Sequence, residues 1–206
     1  MTMLVERPTF EPPPEPDLRF TPEDLQRLPE EQRFELVNGR LVERNMSVLS
    51  SDVASEMVSV LRPFVRQRGL GRAFAADLGY QCFPDDPLKV RKPDVSFVSA
   101  SRWSDSFLSR GYCPIAPDLV VGVVSKHDLH EEVQVKVGEY LEAGVRVVWV
   151  IDPGARCAQM YGADGSSRRL TAGGTLEGGE VVPGFQCPLA ALLPGVPGKA
   201  GGLDPE

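Results

Sequence analysis

The run Leu119-Val120-Val121-Gly122-Val123-Val124 is almost wholly apolar, and so is most of Val145 to Ile151. A strand that shows one face to water alternates apolar and polar side chains, so two such runs point to strands covered on both faces. The stretch between them, Asp128 to Ala143, has helical spacing, with Leu129, Val133, Val137, Tyr140 and Leu141 on one expected buried stripe. Strand, helix, strand in that order makes the two strands parallel neighbours, because a parallel pair needs a crossover connection. The centre of the chain is therefore expected to be a sheet with helices on its faces.

Other elements gather around that centre. Thr21-Pro22-Glu23-Asp24 offers a hydroxyl N-cap, a proline at the first helical position and acids in the first turn, which predicts a short helix through about Leu28. Arg33 to Val37 and Arg40 to Glu43 flank Asn38-Gly39, the dipeptide suited to a type I′ turn, and predict a hairpin. Ser51 to about Arg68 carries Val53, Met57, Val60, Leu61, Phe64 and Val65 on one helical stripe, with Gly69 as a stop. Arg72 to Phe83 and Pro93 to Ser99 read as strands of an antiparallel meander, separated by the Pro/Asp turn at residues 84–87. Cys157 to Tyr161, Arg168 to Leu170 and Val181-Val182 read as short edge strands, and Leu189 to Leu193 as a last helical turn. Residues 1–18, rich in proline and acid, are expected to be a flexible arm, 19–193 one α/β domain, and 194–206 a flexible tail.

A chain of 206 residues can build one core and one site, and its 42% hydrophobic and 25% charged residues are those of a globular protein. The net charge of −7 argues against long-range attraction to nucleic acid, so any such binding needs a local basic patch. Arg62, Arg66, Arg68 and Arg72 form one candidate and Lys89, Arg91 and Lys92 another, each weighed against ordinary solvated surface. Cys82, Cys113, Cys157 and Cys187 lack zinc-site spacing and are expected to be free thiols. His127 and His130 are three apart with no further nitrogen or sulfur ligand near them. No signal segment and no apolar run of membrane-spanning length is present, so the expectation is a cytoplasmic protein outside the membrane.

Hydrolysis of a phosphodiester calls for carboxylates on neighbouring strands that can hold a hard cation, with a lysine near the attacking water. Asp94 opens an apolar strand behind Pro93 and is one candidate, the alternative being an ordinary Pro-Asp turn. Lys136 lies beside the apolar stripe of the crossover helix, where a lysine either snorkels past the core or points into a cleft. Glu35 alternates with Phe34 and Leu36, so the ordinary reading turns it outward. Ser125 with Lys126 or His127 is a weak case for a serine hydrolase, because adjacent residues rarely bring nucleophile and base within reach.

Five segments occur in a characteristic order: Arg33-Phe34-Glu35-Leu36-Val37-Asn38-Gly39, Lys92-Pro93-Asp94-Val95-Ser96-Phe97, Pro117 to Ser125, Lys136-Val137-Gly138-Glu139-Tyr140, and Val148-Trp149-Val150-Ile151-Asp152-Pro153. In these the chain resembles the Uma-two family, assigned to the PD-(D/E)XK endonuclease superfamily, over roughly residues 20 to 193. The resemblance implies a restriction-endonuclease-like core, a central mixed sheet flanked by helices. It also implies a Mg2+ or Mn2+ site and DNA as the partner, and a homodimer is a further expectation. By the same resemblance Asp94 matches a metal-binding aspartate, Lys136 a lysine moved from the strand to the following helix, and Glu35 the acid of the early hairpin. The position between Val121 and Val123 normally carries a glutamate, and here it is Gly122. The loss removes a negative charge and a ligand, so a metal-dependent DNA endonuclease impaired at Gly122 stands beside a non-catalytic DNA- or protein-binding module. Asp77, Asp118 and Glu35 are the acids that could reach in, with Asp118 four residues, about 13 Å, along the strand.

Overall fold

The computed structural model describes residues 19–195; the expected arm at 1–18 and all but the first two residues of the expected tail lie outside the described residues. Near the start, helix α1 (Pro22–Gln26) is closed by a capping box: the Asp24 N–H donates to Thr21 Oγ1 at 3.2 Å and the Thr21 N–H to Asp24 Oδ2 at 3.0 Å. Strands β1 (Phe34–Val37) and β2 (Arg40–Glu43) pair antiparallel around Asn38 and Gly39, whose φ values of 51° and 74° are those the turn demands.

Helix α2 (Val48–Gln67) begins earlier than the apolar pattern alone suggested, because Ser47 and Ser50 cap each other's backbone N–H groups. Val53, Met57, Leu61 and Val65 of its expected stripe are fully buried, Phe64 is partly buried, and Val60 is exposed. Strands β3 (Gly71–Ala75), β4 (Val95–Ser99), β5 (Leu119–Val123), β6 (Val147–Asp152), β7 (Cys157–Gly162) and β8 (Ser167–Thr171) form one sheet in that spatial order. Only β5 and β6 run parallel, and helix α3 (His130–Glu142) crosses between them as expected. Strand β3 is shorter than the pattern of residues 72–83 suggested; Tyr80 instead makes isolated bridges to Arg91 and Cys113. Val181-Val182 is a turn rather than a strand, and the small hairpin there is made by β9 (Thr175–Glu177) and β10 (Gln186–Pro188), followed by α4 (Leu189–Leu192).

The two faces of the sheet are covered differently. Leu119, Val121 and Val123 of β5 join Trp149 and Ile151 of β6 and the α2 stripe in the main core, which α4 and the β9–β10 hairpin complete. Val120 and Val148 point the other way, toward Val137 and Tyr140 of α3. That second cluster is smaller than the stripe implied, since Leu129 is exposed and Val133 only partly covered. Hairpin β1–β2 and α1 stand beside it on a third cluster built on Leu25, Leu36, Val90 and Tyr112. No helix among the described residues is long and apolar enough to cross a membrane.

Candidate active site

Strand parity decides what meets on the α3 side. Val95 lies opposite Val121 in the antiparallel β4–β5 ladder, so one further step of the register sets Asp94 opposite Gly122. Val95 and Phe97 belong to the α2-side core, which turns Asp94 to the other face; Gly122, two residues after Val120, faces the same way. Together they floor a cleft of about 490 Å³ whose walls include Glu35, Val42 and Arg44 from the hairpin side and Val133, Lys136 and Tyr140 from α3. Asp94, Gly122, Lys136 and Glu35 thus share one cleft, on one side of the sheet.

Glu35 is buried, against the ordinary reading of its strand. Alternation fails because β1 is covered on both sides: Leu36 enters the α1 cluster while Glu35 turns to the cleft. Its Oε2 accepts from Arg91 Nη1 at 2.8 Å and lies 3.1 Å from Lys136 Nζ, and its Oε1 accepts from the Lys92 N–H at 3.0 Å. Burial pushes the carboxyl upward, but Lys136, Arg91 and the Lys92 N–H together hold it below the ordinary glutamate range. Arg91 also grips Glu139, its Nε donating to Oε2 at 2.8 Å, and Lys89 Nζ donates to Oε1 of the same carboxylate at 2.8 Å. The basic run Lys89, Arg91, Lys92 is therefore an internal ion-pair lattice, with Lys92 Nζ held by Glu31 at 3.0 Å.

Asp94 receives the Val123 N–H on Oδ2 at 2.7 Å, and its Oδ1 lies 3.3 Å from Arg44 Nη2. Burial raises its affinity for a proton, against the hydrogen bond from Val123 and the charges of Arg44 and Lys136. Arg44 is itself buried and anchored through Nη1 to the carbonyls of Gln32, at 3.3 Å, and Ala76, at 3.2 Å. Sequence reasoning missed Arg44 and gave Glu139 no role, and it read Arg91 as part of a candidate basic patch rather than as a partner of Glu35 and Glu139. Glu139 was accessible in principle, three residues after Lys136 on one helix face; Arg44 follows a strand end, and nothing in its neighbours marks it as inward.

The remaining candidates fall outside the cleft's chemistry. Asp118 is buried against the Ser99 N–H, at 2.8 Å, and Arg102 Nη1, at 3.0 Å. Asp77 is exposed and does not line the cleft, and Ser125, Lys126 and His127 do not line it either. Arg62 and Arg66 sit on α2, across the sheet from the cleft, while Arg68 stacks on Phe64 and Arg72 pairs with Asp105. Burial pushes the Cys82 thiol up to about 12, so it stays protonated at neutral pH.

A magnesium-type ion keeps several waters and needs carboxylate oxygens free to face it. Here Asp94 is pinned between a backbone N–H and a guanidinium, Glu35 is engaged by two cations and an N–H, and Gly122 offers no oxygen. Among the described residues no three His, Cys, Asp or Glu side chains are grouped to hold a metal ion. The side chains present do not fit a divalent ion.

Residues 22–190 match the model of the Uma2 family, described as "Putative restriction endonuclease". The chain belongs to this family. The fold agrees with that of a solved structure described as a "putative nuclease belonging to DUF820" from Anabaena variabilis, with a TM-score of 0.71 at 21% identity, over 84% of this chain and 97% of that one. No curated protein matches the chain. The expected nuclease-type core is thus what the chain adopts, and Uma2 membership makes DNA and divalent metal the general chemistry against which this cleft has to be read.

Proposed function

We propose that this protein engages DNA in the cleft between the β1–β2 hairpin, β5 and α3, as a Uma2 nuclease whose hydrolytic centre is interrupted at Gly122. Family membership supports the substrate class. The observation that carries the interruption is steric: a Cβ built on Gly122 meets no atom within 4 Å, so the cleft has open space for an acid directly across from Asp94. An active centre of this type sets two carboxylates on neighbouring strands with a lysine above them. Here Asp94 is one carboxylate, Lys136 is the lysine, and the second position is bare.

In this reading Lys136 meets the phosphate, Glu35 holds Lys136 in place, and Asp94 is the surviving acid. Plasmid cleavage with Mg2+ or Mn2+ tests it. The chain as it stands should cut weakly or not at all, and Gly122→Glu should raise cutting by about two orders of magnitude or more. Adding Asp94→Ala to that variant should abolish the gain. Two equally inert proteins, both folded, would overturn the proposal.

A second reading is a DNA-binding module without catalysis, favoured by the ion pairs that occupy both surviving carboxylates. Its mark is salt-sensitive DNA retention that is indifferent to metal and unchanged in strength by Gly122→Glu.

A further inference from the structure

In the cleft three cations, Arg44, Arg91 and Lys136, meet two carboxylates, Glu35 and Asp94, while behind its wall Lys89 pairs with Glu139 and Lys92 with Glu31, leaving one positive charge in excess. The pairing shows where that excess falls. Arg91 bridges Glu35 and Glu139, Lys89 completes Glu139, and Arg44 matches Asp94. Lys136 must share Glu35 with Arg91, and its side chain is 39% exposed toward the cleft. A metal centre of the same fold would need the opposite balance, negative until the ion arrives.

The rim carries acids as well. Glu43 is taken by Arg33, Asp128 accepts from the Ser125 N–H, and Glu131 and Glu132 are exposed in the first turn of α3. Exposed charges of this kind are screened over about 8–10 Å at ordinary salt, whereas the buried pairs are not. The interior balance therefore decides which ion the floor accepts.

We propose that Arg44 stands on Asp94 where a divalent ion would otherwise sit, so that this cleft excludes the ion and binds a phosphate-type oxyanion, at Lys136, without it. The guanidinium is suited to the place. It is tied to two backbone carbonyls and lies against Asp94, its planar fork of donors matched to both. Gly122 is the other half of the arrangement: with no second carboxylate, nothing helps Asp94 draw a divalent cation into the place of Arg44, and the vacant side-chain volume beside Asp94 is open to a tetrahedral anion. The inference stands whether or not the protein cuts DNA.

Two titrations on the full chain test it. Mn2+ binding, followed by electron paramagnetic resonance, should show no uptake that Asp94→Asn removes. Uptake should appear in Gly122→Glu and become at least tenfold tighter when Arg44→Gln is added. Arg44→Lys, which keeps the charge should Arg44→Gln fail to fold, should remain as closed to Mn2+ as the parent. In EDTA, inorganic phosphate followed by 31P resonance should bind the parent, and Lys136→Gln should weaken it at least tenfold. A short oligonucleotide, with and without a 5′-phosphate, separates the sources: displacement of phosphate by either form places the anion on a nucleic-acid strand, and displacement by neither places it free in solution. Mn2+ uptake by the parent that Asp94→Asn removes, or no phosphate binding in EDTA, overturns the inference. Failure of Gly122→Glu to cut DNA would instead sink the proposed function and leave this result untouched.

Discussion

Strand β5 serves two faces that obey different rules. On the α2 side Leu119, Val121 and Val123 enter a dry core with Trp149, Ile151 and the helix stripe, where shape and apolar area set the stability. On the α3 side, Val120 is packed but Gly122 is bare, and beyond it lie buried charges that are tolerable only because each has a partner. Alternation along one strand thus separates the part of the molecule that holds the fold from the part that holds the chemistry. The first face should punish lost volume; the second should punish lost charge.

Removing charge from the second face should give the largest effect. Glu35→Ala leaves Arg91 and Lys136 facing each other across an emptied site, and breaking a buried pair by deleting one partner costs about 3–5 kcal/mol. Urea denaturation measures it, and a loss under about 1 kcal/mol would mean that water already satisfies these charges and that the two faces do not differ as argued. On the first face Leu61→Ala, at a fully buried position of the α2 stripe, should cost about 2–5 kcal/mol by the same measurement. Its phosphate and Mn2+ behaviour should not change.

The pH dependence sharpens the contrast further. Because the folded protein holds Glu35 below the ordinary glutamate range, its ion pairs contribute stability that is complete above that range and is lost as pH falls through the folded value. Asp94 has the opposite sign: burial raises its folded value, so its contribution is complete at low pH and is lost as pH rises through that raised value. Stability-against-pH curves for Glu35→Gln and Asp94→Asn, each subtracted from the parent, should therefore slope in opposite directions. Two parallel curves would mean that Arg44 and the Val123 N–H outweigh burial at Asp94, and that the two carboxylates do not differ as argued.

The dry face was legible in the sequence because periodicity reports burial directly. Val53, Met57, Leu61 and Val65 recur at helical spacing, the β5 and β6 runs are apolar, and these patterns gave helix, parallel pair and crossover with little error. The chemical face was legible only in part. Asp94 and Lys136 stood out by position and Glu35 mainly through motif resemblance, and the structure brings them into one cleft, but the outward reading of Glu35 by alternation failed, since alternation assumes one solvated side and strand β1 has none. The lattice around it was hidden for a related reason. Lys89, Arg91 and Lys92 look like surface charge, and only the fold brings residues some fifty positions away against them. Ion pairing between distant segments leaves no period in a sequence.

The smallest expected effect tests the bare position itself. A glycine inside a strand costs about 0.5–1 kcal/mol relative to alanine, through its greater freedom in the unfolded chain. Gly122 needs no positive φ, and its added Cβ would meet nothing within 4 Å. Gly122→Ala should therefore stabilise the protein by about 0.5–1 kcal/mol in urea denaturation. The sign is the informative part, because nothing in the packing of β5 asks for glycine. A stabilised variant that still binds phosphate would show that the cleft tolerates a methyl group and that the missing carboxylate, rather than the missing volume, sets its chemistry. A stabilised variant that no longer binds phosphate would show that the anion uses the space itself, placing it against the β5 backbone beside Asp94. A destabilised variant would contradict the steric picture on which both faces were compared.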